Sequence, residues 1–503
     1  FEEAVRRDPK NPEFLVDLGR TLAKSQRPEA GLARLREAEA LGGVVAVPLA
    51  RVLGDICRDN DAVTVLRDAV DRHRSFETLA ALSLAEAAMR DADAARWAFN
   101  AAMLTPAARQ RPNARAGLRR SLAAALTDAG EVEAAIAFLT AEAEENPEDA
   151  GLLTQRGQAR QTAGDITGAE QDLRRATECA PAAPEAYRAY ANGRRSEADD
   201  PVALRLAEQL ARPDLPAPAR RVMSFAAAKF AADRRDLEAE IDHLARANRL
   251  MAEAFPHNYE ADLDTARRLA GDWAKLERLA PDGPSDPVLF VTGLPRSGTT
   301  LVETILAAHP EVTAGGEMPF MSRALAPAME ALRQGAADPD RFAEAGRRYL
   351  VAARRRAGAE RIVADKAIST FSRIGHVAAA LPGAKFVVLR RDPRDTGLSL
   401  WRNMFPEGLH RYAYDQTRMA RYIRLHEALV SFWAERLSDR VHIVDYEALT
   451  EDPEPVIRTL VAFAGLPWDD ACLAPQSAKR SVATLSFAQV RQPIGRGSVG
   501  GWR

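Results

Sequence analysis

The chain has few cysteines for its length: three in 503 residues, at Cys57, Cys179 and Cys472. Because they lie far apart and form no closely spaced pair, the sequence predicts neither a disulfide framework nor a zinc site. Unpaired thiols are usual in a reducing compartment, and we therefore expect a cytoplasmic protein.

The sequence also lacks an excess of charge and any long apolar run. Its formal net charge is −2, without the basic stripe typical of nucleic-acid binding, so we expect no nucleic-acid partner. No stretch approaches the roughly 18 consecutive apolar residues of a membrane-spanning helix. With 47% hydrophobic and 28% charged residues the composition is that of a globular protein, and the length predicts more than one domain.

The first half of the chain contains an internal repeat. The stretch that begins at Leu118 aligns with the one that begins at Leu152, an offset of 34 residues. The alignment pairs small residues and helix-ending residues: Gly130 with Gly164, Ala135 with Ala169, Leu139 with Leu173, and Pro147 with Pro181. This period, with glycine ending one helix and proline the next, is typical of the tetratricopeptide repeat. Further copies begin near Pro12 and, more weakly, near Pro184.

A change in the sequence pattern predicts the domain boundary. The segment PDGPSDP, from Pro281 to Pro287, has three prolines and a glycine and breaks the helical pattern. We therefore predict an all-α tetratricopeptide-repeat solenoid over residues 1–280, a linker over 281–287 and an α/β domain with a parallel sheet over 288–503. The repeat residues are interpreted as packing positions, so any function of the solenoid belongs to its groove.

The second half alternates short apolar runs with helical patterns. The runs predict four strands, at Val288–Thr292, Arg361–Ala364, Lys385–Leu389 and Val441–Val444. Because the runs are continuous rather than alternating, both faces of the sheet must be covered, which favours a parallel sheet flanked by helices. Ligands of such sheets bind beyond the carboxyl ends of the strands.

The loop after the first predicted strand reads GLPRSGTT, from Gly293 to Thr300. It keeps the two glycines of a nucleotide-binding P-loop at the right spacing but has Thr299 in place of the lysine. Backbone N–H groups and the start of the following helix would bind a phosphate-like anion, with Arg296 beside it. The alternative is a tight turn that carries a solvated arginine.

The loop after the third predicted strand supplies a second anion site. Asp392 and Pro393 are typical of a helix start, Arg391 precedes them, and Ser399 follows eight residues later. An arginine and a hydroxyl at a helix N-terminus suit a second phosphate. Three further arginines are expected to be solvated or paired with surface acids: Arg390, Arg394 and Arg402.

Two further charges are ambiguous when taken alone. Lys366 follows Asp365 at the end of the second predicted strand, and Glu317 follows two glycines in a predicted loop. Either side chain is more often a solvated surface charge than a functional group.

Together these motifs resemble those of sulfotransferases that use 3′-phosphoadenosine 5′-phosphosulfate. The resemblance is greatest to the tyrosylprotein sulfotransferase-like branch and, with the repeats, to bacterial tetratricopeptide-repeat sulfotransferases. It implies a P-loop-like sulfotransferase domain that transfers a sulfuryl group to a hydroxyl of a protein, peptide or glycan and releases adenosine 3′,5′-bisphosphate. It implies no metal.

The resemblance also implies a role for individual residues. Glu317 would be the catalytic base, Lys366 would steady the sulfuryl oxygens and the leaving phosphate, and Arg296 would lie near the transferring group. The implied contacts to the donor are Pro295, Arg296, Ser297, Gly298, Thr299 and Thr300 at the 5′ end, Arg391 and Ser399 at the 3′-phosphate, Tyr446, and Ser486, Gln489 and Arg491 in a C-terminal stretch that closes over the nucleotide. One departure is that Gly501 precedes Trp502, where relatives commonly have lysine or arginine.

Two other functions are compatible with parts of the sequence. A magnesium-dependent kinase or ATPase would use the same loop, although Thr299 in place of lysine counts against it. A non-catalytic scaffold would use only the repeats, and we expect these to recruit the acceptor or to support self-association in either case.

Overall fold

The computed structural model describes residues 1–197, 199–279, 283–358, 361–477 and 494–503. The described residues before the first strand form helices and short connections. These helices are α1 (Glu2–Arg7), α2 (Pro12–Lys24), α3 (Pro28–Ala40), α4 (Ala46–Asp55), α5 (Asp59–Arg72), α6 (Phe76–Ala88), α7 (Ala92–Met103), α8 (Pro106–Gln110), α9 (Pro112–Asp128), α10 (Val132–Glu145), α11 (Ala150–Ala163), α12 (Ile166–Cys179), α13 (Pro184–Gly193), α14 (Pro201–Ala211), α15 (Ala217–Asp233), α16 (Leu237–Ala254) and α17 (Tyr259–Leu276). The first half is thus mostly helical, as predicted.

Neighbouring helices in this half pack as pairs, for example α2 with α3 and α11 with α12. Gly19 shows why small residues recur, since a Cβ added there would lie 2.8 Å from Leu35 Cγ. Gly164 ends α11 with φ +96°, a left-handed conformation that glycine adopts without steric cost. The sequence pattern therefore encodes close helix contacts and sharp helix ends.

The second half is an α/β unit. Its strands are β1 (Val288–Gly293), β2 (Val312–Gly316), β3 (Ile362–Asp365), β4 (Ala384–Arg390) and β5 (Val441–Asp445). Its helices are α18 (Thr299–Ala308), α19 (Phe320–Arg333), α20 (Pro339–Ala357), α21 (Ile374–Ala380), α22 (Pro393–Trp401), α23 (Gln416–Arg436), α24 (Tyr446–Glu451) and α25 (Pro453–Ala464). Short 3₁₀ helices occupy Ile368–Arg373, Arg411–Tyr414, Asp470–Leu473 and Pro475–Ser477.

The five strands form one parallel sheet in the order β2-β3-β1-β4-β5. This confirms the predicted parallel sheet, but β2 was not predicted. Its sequence, VTAGG, has one β-branched apolar residue and two glycines, and it lies at the edge of the sheet, so it shows no apolar run. The strand order reverses beside β1, because β3 and β2 lie on one side of it and β4 and β5 on the other. The loops after β1 and β4 therefore open a crevice at the carboxyl ends of these strands.

Each face of the sheet packs into its own core. Val288 and Phe290 of β1 face one cluster, which also contains Phe386, Tyr349 and Trp433. The alternate residues of β1 face the other cluster, with residues of α18 and α25: Leu289 and Val291, with Val302, Ile305, Leu306, Ile457 and Leu460. The strand is apolar throughout because successive side chains enter opposite cores.

The helical half contacts the α/β half through several helices, and two of the contact regions involve the turn between α4 and α5 and the pair α15 and α16. At the first, Cys57 Sγ donates to the carbonyl of Phe320 at 3.4 Å, and Arg355 pairs with Asp59 at 3.1 Å. At the second, α15 and α16 share a hydrophobic cluster with residues that follow β1 and β4. We call this the shared cluster, and its buried members are Phe225, Ala228, Leu244, Ala247, Met251, Leu294, Leu400, Phe405, Tyr412, Ala413, Tyr414, Met419 and Ile423.

The three cysteines are free thiols. Within the described ranges, none of the helices has the length and apolar character needed to cross a membrane.

Candidate active site

The loop between β1 and α18 has the backbone of an anion site. Gly298 adopts φ +105° and caps α18, while Arg296 is a non-glycine residue at φ +70°. The first N–H groups of a helix have no partner within the helix, so those at Thr299 and Thr300 are available to a ligand oxygen. Ser297 stabilises the turn because its hydroxyl donates to the carbonyl of Leu294 at 2.7 Å.

Arg296 connects this loop to the loop after β4. Its Nε donates to Ser399 Oγ at 3.1 Å, across 103 residues of sequence. Burial, together with the nearby Arg391 guanidinium, lowers the pKa of Arg296 to about 10. The side chain therefore remains charged at neutral pH in a place where water solvates it poorly. Such a cation gains more from a bound anion than a solvated one.

Arg391 is held beside the same loop by three groups. Its Nη1 donates to the carbonyl of Arg296 at 2.8 Å, its Nη2 donates to the carbonyl of Ser498, and its guanidinium lies 4.7 Å from the Tyr446 ring centre. Its Nε is buried and has no hydrogen-bond partner among the described residues. A buried donor without an acceptor is costly, and an anion here would satisfy it.

Tyr446 packs against the loop between β1 and α18, which we call the phosphate loop, as well as against Arg391. A Cβ added to Gly298 would lie 2.5 Å from Tyr446 Cδ2, so the ring occupies the space that any other residue at 298 would need. Tyr446 begins α24 directly after β5, which places it at the carboxyl edge of the sheet. The structure therefore brings Tyr446, Gly298, Arg296 and Arg391 together.

Lys366 and Glu317 form an ion pair at this edge. Lys366 Nζ lies 2.7 Å from Glu317 Oε1, and the side chains are 1% and 54% exposed. The lysine is thus buried rather than a surface charge. Glu317 follows β2, whereas Lys366 follows β3, and the N–H of Lys366 donates to the carbonyl of Gly316 at 2.9 Å. Because β2 and β3 are adjacent and parallel, the residues that follow them lie side by side, which places the two charges in contact.

A buried carboxyl group supports the strand end that carries Lys366. Asp365 accepts from the Tyr349 hydroxyl at 3.0 Å and from the N–H of Ala367 at 2.9 Å. Burial raises the pKa of Asp365 to about 7, although these hydrogen bonds oppose the rise. Glu303 of α18 fixes the neighbouring β2 turn by accepting from the N–H of Gly316 at 2.7 Å.

The described C-terminal residues lie against the start of α22. Asp395 accepts from the N–H of Gly500 at 2.7 Å and from that of Trp502 at 3.3 Å. The Trp502 ring stacks on Arg394, whose guanidinium carbon is 3.8 Å from the ring centre. The segment around Gly501 thus docks through backbone donors. Three predicted donor contacts, Ser486, Gln489 and Arg491, lie outside the described residues.

The other arginines around the loop between β4 and α22 pair with acids. Arg390 Nε lies 2.5 Å from Asp445, Arg394 Nη2 lies 2.7 Å from Asp392, and Arg402 Nε lies 2.6 Å from Glu240. The first two pairs lie within the α/β half, but Glu240 belongs to α16 of the helical half. No group of histidine, cysteine and acidic residues in the described ranges is arranged to hold a metal ion.

The sequence analysis missed His410, which lies on the segment after α22. The Glu317 charge raises the pKa of His410 against the larger, opposite effect of burial, so the two side chains are electrostatic neighbours. No strand end, glycine pattern or spacing indicates this residue. Its positive φ of 46° becomes apparent only in the structure.

Comparison with known proteins agrees with this geometry. Residues 287–470 match a family model described as "Sulfotransferase family". The C-terminal part of the chain is a sulfotransferase family domain. The first half lies outside that match.

The chain is also similar to curated proteins. Protein-tyrosine sulfotransferase 1 of Danio rerio is 30% identical over 218 residues, which cover 41% of this chain and 61% of that protein. An uncharacterized protein of Aquifex aeolicus (strain VF5) is 30% identical over 308 residues, covering 58% of this chain and 40% of its own. The chain therefore spans 40% and 61% of the lengths of these two relatives.

A solved structure is also similar. The sulfotransferase domain from the Synechococcus PCC 7002 olefin synthase is 21% identical, with a TM-score of 0.33, and the match covers 45% of this chain and 90% of that one.

Proposed function

We propose that the protein transfers a sulfuryl group from 3′-phosphoadenosine 5′-phosphosulfate to a hydroxyl of a protein, peptide or glycan. The observation that carries this proposal is the arrangement at one sheet edge. There an anion loop with a partly buried Arg296 lies on the same edge as a buried lysine paired with a half-exposed carboxylate. The family match to residues 287–470 supports the same reaction class.

The described residues fit the proposed donor. The loop from Pro295 to Thr300 would hold the phosphosulfate end, and Arg391 with Ser399 would hold the 3′-phosphate. The unpartnered Nε of Arg391 supports this assignment because a phosphate oxygen would complete its hydrogen bonding. Tyr446 lies against both groups and would contact the nucleotide.

The donor supplies an activated sulfuryl group whose phosphate is the leaving group. In the proposed reaction Glu317 accepts the proton of the acceptor hydroxyl as the oxygen–sulfur bond forms. The bond from sulfur to the phosphate oxygen breaks, and its electron pair leaves with adenosine 3′,5′-bisphosphate. A base in reach of the proton typically contributes about 10²–10⁴-fold.

The cations of the site would balance the charge that develops on the sulfuryl oxygens and the leaving phosphate. Lys366 is buried and Arg296 is partly buried, so both are positioned before the reaction and act in a medium of lower dielectric than water. The Lys366 ammonium also contacts the Glu317 carboxylate directly, which holds the proposed base at the site. Two separated cations thus replace the single P-loop lysine that Thr299 displaces.

For the helical half we propose a tetratricopeptide-repeat array that recruits a macromolecular acceptor or supports self-association. The packed helix pairs support this reading, and so do Gly130 and Gly164, which are equivalent positions of the repeat and both adopt a positive φ. Because relatives of the chain are named protein-tyrosine sulfotransferases, a tyrosine hydroxyl in a peptide is the first acceptor to test. The cytoplasmic location expected from the sequence stays a prediction.

The test combines binding with transfer. Adenosine 3′,5′-bisphosphate should bind in calorimetry with EDTA present, and donor labelled with ³⁵S should transfer its label to a tyrosine-containing peptide. Glu317→Ala should retain nucleotide binding but lose at least about 100-fold in kcat. The matched control is Glu311→Ala, an exposed glutamate six residues upstream.

Other results would favour the alternatives. Failure of the folded protein to bind the bisphosphate would contradict the proposal. Binding of ATP that requires magnesium would favour a kinase or ATPase, and a stable partner complex without transfer from any donor would favour a scaffold.

A further inference from the structure

Residues 402–414, which we call the acceptor-side segment, connect α22 to α23 and are anchored to the helical half by polar contacts. Arg402 Nε lies 2.6 Å from Glu240 Oε1 of α16, and Arg221 Nη2 of α15 lies 2.8 Å from Glu407 Oε1. Just before the segment, the amide of Asn248 donates to the carbonyl of Trp401 at 3.0 Å. Two helices of the first half therefore fix both the start and the middle of this segment.

The shared cluster anchors the same segment by apolar packing. Phe225 of α15 meets the Tyr414 ring at a centroid distance of 6.4 Å, and Phe405 belongs to the same buried group. Leu294 of the phosphate loop is also a member of the cluster. One continuous core thus joins the helical half, the segment and the loop that would hold the donor.

His410 lies on the segment in a conformation that is unusual for its residue type. Its φ is +46°, a left-handed backbone that non-glycine residues seldom adopt, although histidine does so more often than most. The ring lies 4.9 Å from that of Phe405, and Nδ1 lies 3.3 Å from the Tyr412 hydroxyl. The surroundings therefore fix both the backbone and the ring, as is common at functional sites.

The charge of Glu317 acts on His410. Burial lowers the pKa of His410 and the Glu317 charge opposes this, so the imidazole is neutral at neutral pH. A neutral imidazole has one donor and one acceptor nitrogen. If the Tyr412 hydroxyl donates to Nδ1, the ring proton is on Nε2, which makes no hydrogen bond with any described residue.

We propose that His410 contacts the acceptor beside Glu317, and that α15 and α16 hold it there, so that the helical half forms part of the acceptor site. This inference rests on the proposed function for its acceptor, but its geometry stands independently. The Nε2 proton would donate to the acceptor near its reactive hydroxyl. The helical half then shapes the site directly, in addition to any recruiting role.

The kinetic test uses a tyrosine-containing peptide as the probe. His410→Asn retains a residue that tolerates the left-handed backbone but shortens the side chain. We expect the peptide KM to rise about tenfold, the value for one lost hydrogen bond, while affinity for adenosine 3′,5′-bisphosphate changes less than about twofold. His410→Gln, which keeps reach and a donor, should recover part of the loss. His442→Asn is the matched control, since His442 is also half-buried but stacks on Phe463 beside the edge strand.

Anchoring by the helical half is tested with Arg402→Met. It should also raise the peptide KM, by about threefold or more, because the segment loses its ion pair with Glu240 of α16. Arg390→Met is the control, since Arg390 pairs with exposed Asp445 within the α/β half. A peptide KM that is unchanged in both His410 variants, or equal effects of Arg402→Met and Arg390→Met, would overturn the inference.

A second measurement needs neither donor nor acceptor. In histidine-labelled protein, Glu317→Gln should lower the pKa of His410 followed by NMR, because a charge that raises it is removed. The pKa of His442 should stay the same. An unchanged His410 would refute its placement, whereas wild-type protein that neither binds the bisphosphate nor modifies the peptide would instead count against the proposed function.

Discussion

The ion pair of Lys366 with Glu317 predicts an asymmetry in stability. The lysine side chain is 1% exposed and the glutamate side chain is 54% exposed. Removing Glu317 leaves a buried ammonium without its partner, whereas removing Lys366 leaves a carboxylate that water can solvate. The two halves of one ion pair are therefore expected to have unequal effects on folding.

The magnitudes follow from burial. Breaking a buried pair by deleting one partner costs about 3–5 kcal/mol, and because one side of this pair reaches solvent we expect about 3 kcal/mol for Glu317→Ala. Lys366→Met replaces the stem with a side chain of similar shape, which costs less than about 1.5 kcal/mol. For a domain of this size, each kcal/mol of lost stability lowers Tm by about 2–4 °C. Glu317→Ala should then lower Tm by about 6–12 °C, and Lys366→Met by less than about 6 °C.

Differential scanning calorimetry without nucleotide would measure both values. Glu317→Gln should fall between the two, because its amide oxygen can still accept from Lys366, and Glu311→Ala should match the wild type. The reasoning is wrong if Lys366→Met is the more destabilising variant. Activity would not reveal this asymmetry, since both residues are proposed to act in the reaction.

Two more predictions concern the loop and the buried acid. Gly298→Ala should weaken binding of adenosine 3′,5′-bisphosphate and lower Tm more than Gly335→Ala, because both have positive φ but only the first methyl would meet Tyr446, at 2.5 Å. The clash should add about 1–3 kcal/mol, and equal Tm losses would show that the ring moves freely. The pKa of Asp365 is raised to about 7, so its folded state retains a proton that the unfolded state releases. The contribution of Asp365 to the free energy of unfolding is fully present below about pH 4 and declines as the pH rises toward 7. Asp365→Asn should flatten that part of a Tm–pH curve, and an unchanged curve would show that Asp365 is already ionised beside Tyr349.

Much of the α/β half could be predicted because its signals are local. Four strands appear as apolar runs since both sheet faces are covered, and the helix start at Asp392 follows from capping chemistry. Strand β2 could not be found this way, because its pairing with β3 rather than its composition makes it a strand. Glu317 lies in a loop, as predicted, but without β2 the sequence did not show that this loop follows a strand of the sheet.

Site residues could be predicted only where they belong to a recognisable sequence motif. The loop from Pro295 to Thr300 has a recognisable pattern, but the burial of Lys366 depends on packing around the end of β3 and cannot be read from its neighbours in sequence. The bond between Arg296 and Ser399 joins residues 103 apart. His410 and the contact of Arg402 with Glu240 arise from the packing of α16 on the α/β half, which no local pattern encodes.

The shared cluster has a thermodynamic consequence. Leu294 of the phosphate loop and Phe225 of α15 belong to one buried group, so displacing either changes the packing of the other. If a partner on the helical half alters nucleotide affinity by some factor, the nucleotide must alter partner affinity by the same factor. A scaffold that delivers an acceptor would then also report whether the donor is bound.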